Sequence, residues 1–350
     1  MKSAVIVAYR NGEFVEDNIK FLLKNGYEVV LAVDEPDENL RRSIDRYCVK
    51  ASVSDVRRGK WKALNDALKL VSGETVLFLD SDTKIVELAE TNGKDAIEIR
   101  KEVLGSSILE RLVGIDYFVM FLTSKIAEKF NSCLSLNGAA LMVKKKVLEE
   151  IGGFRGKINE DTDLGVRLGL RGFKVGVGGK AVTKAPSSLK EWFAQRERWS
   201  LGGADVLIEN FFKIVRRPRL WIPYLFLFYP ALVGMFFEFI LPDDLIIKLL
   251  YLLIPLMVFI SPKLLSIAML TVFEVHTIKN LLSALASFLI WFITISTLSK
   301  VFDYEIDFKL LPIYYFLYSP LWTMICITAF FRVVINRAMG RRISVRGWKV

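Results

Sequence analysis

The sequence predicts an α/β domain on a mostly parallel sheet, followed by an α-helical transmembrane domain of about four spans. Three observations carry this. Up to about residue 220, short apolar runs alternate with amphipathic helical patterns, as in a parallel sheet with crossover helices. Beyond that point long apolar runs dominate. The chain of 350 residues combines 53% hydrophobic residues with a mean hydropathy of +0.36, too apolar for an ordinary soluble domain.

The elements follow in order. Ala4–Ala8 is too short for the apolar core of a signal peptide and reads as a buried strand. Residues 13–24 read as a helix, with Phe14, Ile19, Leu22 and Leu23 spaced along it. Glu28–Val33 is a second strand that ends at Asp34, and a polar helix follows around 37–46. Residues 60–71 place Ala63, Leu64, Ala67, Leu68 and Val71 on one helical face. Thr75–Leu79 is a third strand that ends at Asp80. Ligands of such sheets bind beyond the carboxyl ends of the strands, where Asp34 and Asp80 stand.

Four runs have the roughly 20 residues needed to cross a bilayer. They are Trp221–Leu241, Leu245 to about Leu265, Leu281–Leu298 and Leu310–Phe331. The connection at 264–279 carries Glu274, His276 and Lys279 and suits the interface. Trp221, Tyr224, Trp291, Tyr314, Tyr315 and Trp322 are placed like interfacial aromatics. Lys213, Arg216, Arg217 and Arg219 precede the first span, and Arg332, Arg337, Arg341, Arg342, Arg346 and Lys349 follow the last. Both flanks are therefore expected in the cytoplasm, which requires an even number of spans. The expected organisation is a domain at 1–187, an amphipathic interface region at 188–220, spans within 221–332 and a basic tail at 333–350.

Composition removes several function classes. Gly is 22 and Pro 10, too few for a disordered or collagenous chain. Cys48, Cys133 and Cys326 are scattered and odd in number, so no disulfide framework is expected. His276 is the only histidine, which argues against a Ser-His-Asp triad or a histidine-rich zinc site in the first 275 residues. Proton transfer there falls to carboxylates. The net charge of +10 collects largely in the membrane-flanking collar, so lipid contact is expected and nucleic acid is not.

Five short segments carry chemistry. Asp80-Ser-Asp82 puts two carboxylates at a strand end, where oxygen ligands suit Mg²⁺ or Mn²⁺ bridging a diphosphate. Asp34 at its own strand end suits a base or ribose, or simply a turn. Arg57-Arg58-Gly59-Lys60 opens a helix and suits an anion. Asp161, in Asn159-Glu160-Asp161, caps a helix or acts as a general base. Gln195, Arg198 and Trp199 share a helical face on which the cation suits a diphosphate and the ring a sugar.

In this order the segments resemble the membrane-embedded family 2 glycosyltransferases, the cellulose, chitin and hyaluronan synthases. The resemblance runs from Val5 to about Gly203 and into the spans. Asp34 matches the first nucleotide-binding aspartate, and Gly59-Lys60-Trp61-Lys62-Ala63 looks like G-K-R-x-A with Trp61 in place of Arg. Asp80 and Asp82 fall on D-x-D. Asn137-Gly138 falls on the acceptor-side loop, where Cys-Gly or Ser-Gly is usual. Gly152-Gly153-Phe154 matches G-G-F, and Glu160-Asp161 matches E-D with Asn159 where Thr is common. Gln195, Arg198 and Trp199 match Q-x-x-R-W, the most specific element.

The resemblance implies a GT-A-type, Rossmann-like cytoplasmic domain in a multi-pass protein of the cell membrane. Asp34, Lys60, Asp80 and Arg198 would bind the nucleotide sugar, UDP-glucose or UDP-N-acetylglucosamine. Asp82 with Asp80 would hold Mg²⁺ or Mn²⁺. Asp161, beside Glu160, would be the base of an inverting transfer, and Asn137, Gly138, Gln195 and Trp199 would meet the acceptor. The product would be a β-linked polysaccharide. The small membrane region equally suits transfer of one sugar to a polyprenyl-phosphate lipid, and a translocating channel in so few helices either needs a homodimer or is absent. The reading from another class is a non-catalytic channel or nucleotide-binding protein, with Glu238 and Lys248 in its pathway.

Overall fold

The computed structural model describes residues 2–240, 275–341 and 343–345, with scattered positions between 248 and 267. It divides into two compact units, Met1–Pro223 with Phe316–Val350, and Tyr224–Tyr315.

The first unit opens with β1 (Lys2–Tyr9), α1 (Val15–Lys24), β2 (Tyr27–Asp34), α2 (Glu38–Tyr47), β3 (Lys50–Ser54), α3 (Lys60–Leu68) and β4 (Thr75–Asp80). Each of the three expected strands and helices in this stretch forms within a few residues of its expected bounds. Alternation along the strands explains the layering. Val5, Val30 and Ala32 face one side and pack with Ala63, Leu64 and Ala67 of α3. Ala4, Ile6, Ala8 and Leu31 face the other and pack with Val15, Ile19 and Leu22 of α1.

β5 (Thr83–Glu87), β6 (Ala96–Leu104), α4 (Ile108–Lys129), β7 (Ala140–Lys144), α5 (Lys145–Ile151), α6 (Glu160–Arg171) and β8 (Val175–Lys184) complete the sheet, whose order is β3-β2-β1-β4-β7-β6-β8-β5. The pairs β1–β2, β1–β4, β2–β3 and β6–β8 are parallel. β7 runs against both β4 and β6, and β5 runs against β8. The sheet is thus mostly parallel with an antiparallel insertion. α4 carries a full capping box, with Ser107 accepting from the Glu110 N–H and the Glu110 carboxylate accepting from the Ser107 N–H.

α7 (Leu189–Glu209) is the expected amphipathic helix, capped by Ser188. It stops at Asn210, and the last residues of the expected stretch belong to the short α8 (Phe211–Val215). α9 (Pro218–Leu225) follows. The closing helix of this unit, α12 (Ser319–Ala338), lies along α7, with Ala329 and Val333 packed on Leu201. Its other face leaves Met324, Ile327, Phe330 and Phe331 exposed. The collar arginines are docked as well: Arg332 meets Glu197 at 2.6 Å, and Arg337 meets Asp205 at 2.5 Å.

The second unit contains α10 (Tyr229–Ile240) and α11 (Val275–Val301), which pack together. Gly234 permits this: a Cβ there would lie 2.8 Å from the Ser287 Oγ. Trp291 stacks on Tyr314 at 5.8 Å, and both rings are buried rather than turned outward as interfacial aromatics.

Against the four expected spans, the described residues hold two helical stretches long and apolar enough to cross a membrane, Lys279–Val301 and Phe308–Ala338. A broken pair, Pro218–Leu225 with Tyr229–Phe236, makes a third if it counts as one span. The break falls at the 3₁₀ turn Phe226–Phe228, just before Pro230, whose missing N–H leaves a carbonyl of the preceding turn without its helical donor. The expected span at Leu245–Leu265 lies mainly outside the described residues, as do Asp243, Asp244, Glu274, Arg342, Arg346 and Lys349.

Candidate active site

Sheet topology decides what meets at the site. Parallel strands β1, β2 and β4 finish at one edge, with Tyr9 beside Asp34 and Val7 beside Asp80. Because β7 runs the other way, its first residue Ala140 lies beside Leu79 at that same edge. The Asp80 N–H donates to the Ala139 carbonyl at 2.9 Å, so Asn137–Ala139 borders the D-x-D segment.

Asp161 comes to this edge in the first turn of α6. Its Oδ2 accepts the Gly138 N–H at 2.8 Å and its Oδ1 the Thr162 N–H at 2.7 Å. A Cβ on Gly138 would stand 2.8 Å from both the Cβ and the Oδ2 of Asp161, so only glycine fits. Gly138 therefore holds the carboxylate in place. Asn159, one residue before α6, donates from Nδ2 to the Trp199 carbonyl at 2.8 Å, which ties the start of α6 to α7.

Lys60 stands among the acids at the start of α3. Its Nζ lies 2.8 Å from Asp80 Oδ1, 3.0 Å from Asp80 Oδ2 and 3.2 Å from Glu160 Oε1. Burial alone would lower its pKa, but Asp80, Glu160 and Asp161 outweigh burial and raise it above the usual lysine range. Gly59, at φ +96°, makes the turn that delivers Lys60 there. Burial raises the pKa of Glu160 despite the opposing Lys60 charge. Asp82 is exposed to solvent at the cleft, and desolvation with the adjacent Asp80 charge raises its pKa.

These carboxylates suit a divalent cation of the Mg²⁺ type. The raised pKa of Asp82 reflects burial and the Asp80 charge, a cost that a cation held by both would relieve. Among the described residues no group of three or more Asp, Glu, His or Cys side chains could hold a metal ion. A pair of carboxylates completed by substrate phosphates and water is how Mg²⁺ is commonly bound.

Asp34 behaves differently. Its carboxylate accepts the Arg58 N–H at 2.7 Å, the Gly59 N–H at 3.1 Å and Arg58 Nε at 2.8 Å. Both oxygens are engaged in ordering the segment that leads into Lys60.

α7 contributes three of the expected residues. Arg198 feels Asp161, Glu160 and Asp80, whose charges oppose the lowering of its pKa by burial. The Trp199 ring stacks with Tyr117 of α4 at 6.4 Å and 30°. Gln195 Oε1 is buried with no hydrogen-bond partner among the described residues. Arg196, between them, is turned into the protein. It pairs with buried Asp116 at 2.7 Å, donates to Tyr318 Oη at 2.9 Å and lies 4.5 Å from the Trp199 ring centroid and 4.2 Å from that of Trp322.

Two further residues join the cluster without a motif to announce them. Glu98 and Lys101 of β6 are buried, and the Asp161 charge acts on both. The pairing with β8 shifts register between Ile99 and Arg100, with Gly179 of β8, at φ +66°, as the extra residue. Burial brings the Lys101 pKa down to about 8, against the pull of Glu98 and Asp161.

A sheet edge that gathers acids, a lysine and an arginine below an aromatic helix defines a group-transfer enzyme acting on an anionic donor. Comparison with known proteins makes the class definite. A family model described as glycosyl transferase family group 2 matches residues 70–335, and one described as glycosyl transferase family 2 matches residues 3–89. The chain belongs to glycosyl transferase family group 2.

The poly-β-1,6-N-acetyl-D-glucosamine synthase of Staphylococcus epidermidis is 26% identical over 239 residues, covering 62% of this chain and 58% of the relative. That of Staphylococcus aureus (strain COL) is 25% identical over 243 residues, covering 61% and 57%. The match thus spans less than two thirds of the length of these relatives. The fold is also that of a mannosyltransferase from Pyrobaculum calidifontis, solved in complex with GDP-Man and Mn²⁺. The TM-score is 0.53 at 13% identity, over 97% of this chain and 88% of that one.

Proposed function

We propose that this protein is an inverting, membrane-embedded glycosyltransferase that extends a β-linked polysaccharide from a nucleoside diphosphate sugar. The observation that carries the reading is the placement of Asp161. Two backbone N–H groups hold its carboxylate at 2.7 and 2.8 Å beside the D-x-D edge, with Arg198 nearby. UDP-N-acetylglucosamine is the donor that the staphylococcal relatives' name favours.

In this reading Asp161 takes the proton of the acceptor hydroxyl, whose oxygen attacks the anomeric carbon. Attack from the face opposite the diphosphate inverts the configuration, so an α-linked donor gives a β-glycoside. Asp80 and Asp82 would hold a divalent cation that neutralises the departing diphosphate. The neighbour's complex with GDP-Man and Mn²⁺ supports this donor and metal chemistry. Arg198 and Lys60 supply fixed positive charge at the same place. Asp34 acts on the nucleotide through the Arg57–Lys60 segment it orders. Trp199, backed by Tyr117, and Gln195, with its unmet Oε1, form the acceptor side with Asn137 and Gly138. The catalytic unit and the C-terminal tail face the cytoplasm, where the donor is made.

Asp161→Asn tests the assignment. It keeps the size of the side chain and one of the two backbone hydrogen bonds, since its amide nitrogen cannot accept an N–H, and it cannot take the proton. Turnover should fall by about 10²–10⁴ or more while UDP binding, followed by calorimetry, stays within a few-fold. Turnover near wild type in this variant would remove Asp161 from the role of base.

A further inference from the structure

A second feature of the first unit lies apart from the carboxylate cluster. It is a cavity of about 430 Å³ that opens to solvent. Six cations line it: Arg155, Arg167, Arg171, Lys213, Arg216 and Arg217. No carboxylate is among its lining residues. The cations come from three separate stretches: the loop after α5, the last turns of α6, and the connection from α7 to α9.

Part of this charge has a structural use. Arg167 is buried and paired with Asp163 at 2.7 Å, and it also donates to the carbonyls of Ile151 at 2.9 Å and Gly153 at 2.8 Å. Arg171 donates to the Glu150 carbonyl at 2.7 Å, and Arg217 donates to the Leu170 carbonyl. Arginines near the carbonyl end of α6 also complement its dipole. These uses do not extend to Arg155, Lys213 and Arg216, whose side chains have no ion pair or hydrogen bond among the described residues. Burial lowers the pKa of Arg167, and Arg155 and Arg171 push it further down against the pull of Asp163. The cavity thus holds six cations of which Arg167 is paired with Asp163 and Arg171 lies 3.9 Å from Glu150, so most of its positive charge is not balanced within it.

Its outer wall points to the source of a counterion. Lys213 and Arg216 belong to the α8 segment, whose Phe211, Phe212 and Val215 are 54%, 74% and 47% exposed. An exposed apolar strip beside cations is the pattern of a segment lying on an anionic bilayer surface. A polar cavity behind it has room for a phosphate-bearing group.

We propose that this cavity binds a phosphate group, supplied by the headgroup of an anionic phospholipid at the membrane surface where α8 lies. The arginines and lysine before the first span then do more than orient the chain: with Arg155, Arg167 and Arg171 they form a defined headgroup site. This site does not depend on the transfer reaction, and its test requires no turnover.

The test uses the full chain in a neutral detergent, stripped of lipid, with native mass spectrometry to count retained ligand. The probes are phosphatidylglycerol, phosphatidylcholine and inorganic pyrophosphate. The cavity variant combines Arg155→Gln, Lys213→Gln and Arg216→Gln, none of which breaks a contact in the protein. A control with the same charge loss combines Lys24→Gln, Arg46→Gln and Lys129→Gln, all exposed and outside the cavity. The wild type and the control should retain phosphatidylglycerol in preference to phosphatidylcholine. The cavity variant should bind phosphatidylglycerol more weakly by roughly a hundredfold, at unchanged melting temperature. Competition by pyrophosphate shows that the phosphate alone is recognised, and retained lipid without competition assigns the site to the headgroup with its chain. Equal weakening in both variants, or no preference for phosphatidylglycerol, overturns the proposal.

Discussion

In the proposed mechanism Asp161 and Gly138 form the smallest working part. One contributes a carboxylate, and the other contributes an N–H and the absence of a side chain. Gly138→Ala must displace Asp161, because the new Cβ has only 2.8 Å to its Cβ and Oδ2. A misplacement of this kind should cost about a hundredfold in turnover, with donor binding preserved, in an assay of released nucleoside diphosphate. Unchanged turnover would mean that the Gly138 contact does not position the base. At this scale the sequence was legible where residue type and chemistry coincide. Asp80, Asp82, Asp161 and Arg198 were all found as charged residues in recognisable segments. Glu98 and Lys101 were not, because no motif marks them and their approach to Asp161 is made by the tertiary fold. Arg196 was passed over beside Arg198, since helical spacing cannot tell which of two neighbouring arginines turns inward.

The elements are held by polar ties at opposite ends of the sheet. Away from the site, Glu28 of β2 accepts from Ser3 Oγ at 2.5 Å, Lys50 Nζ at 2.6 Å and the Ser72 N–H at 2.8 Å. Burial alone would raise its pKa, but these donors bring it down to about 2 from 4.5. The folded chain therefore binds fewer protons at Glu28 than the unfolded chain between these values. Its contribution to stability is complete above about pH 4.5 and declines as pH falls toward 2. Glu28→Gln should lose about 1.5–3 kcal/mol near neutrality, and the gap in melting temperature to wild type should close on acidification below pH 4.5. A gap that stays constant would assign the stabilisation to shape rather than charge. At the α7 side, Arg196 and Asp116 join α7 to α4. Arg196→Met leaves a buried carboxylate without its cation and should cost about 3–5 kcal/mol in thermal unfolding. Adding Asp116→Asn should recover part of that loss; strict additivity would deny the coupling. The early strands and helices were readable from period alone, because their apolar residues are local and regular. β7 was not, since nothing in Ala140–Lys144 states the direction in which it joins β4. The proline-linked break at Phe226–Phe228 likewise divides a run that hydropathy reads as continuous.

The whole molecule belongs to glycosyl transferase family group 2 and carries helices long and apolar enough to cross a membrane. α7 carries Gln195 and Trp199, the acceptor-side residues of the proposed mechanism, and α8 and α12 expose apolar residues beside it, an arrangement that under that proposal would suit a growing glycan. The family and the order of its motifs were legible because five segments recur in one order along the chain. The described residues hold two of the expected spans, with a third as a broken pair, and the span expected at Leu245–Leu265 lies mainly outside them. The most direct measurement uses the purified full chain with a panel of nucleotide sugars and Mg²⁺ or Mn²⁺. It records released nucleoside diphosphate and the size of labelled product, beside Asp161→Asn. The expected result is a polymer from UDP-N-acetylglucosamine that the variant does not make. A single organic-extractable product would replace the polymer reading with transfer to a lipid. Donor binding without nucleotide release from any sugar would contradict the catalytic account.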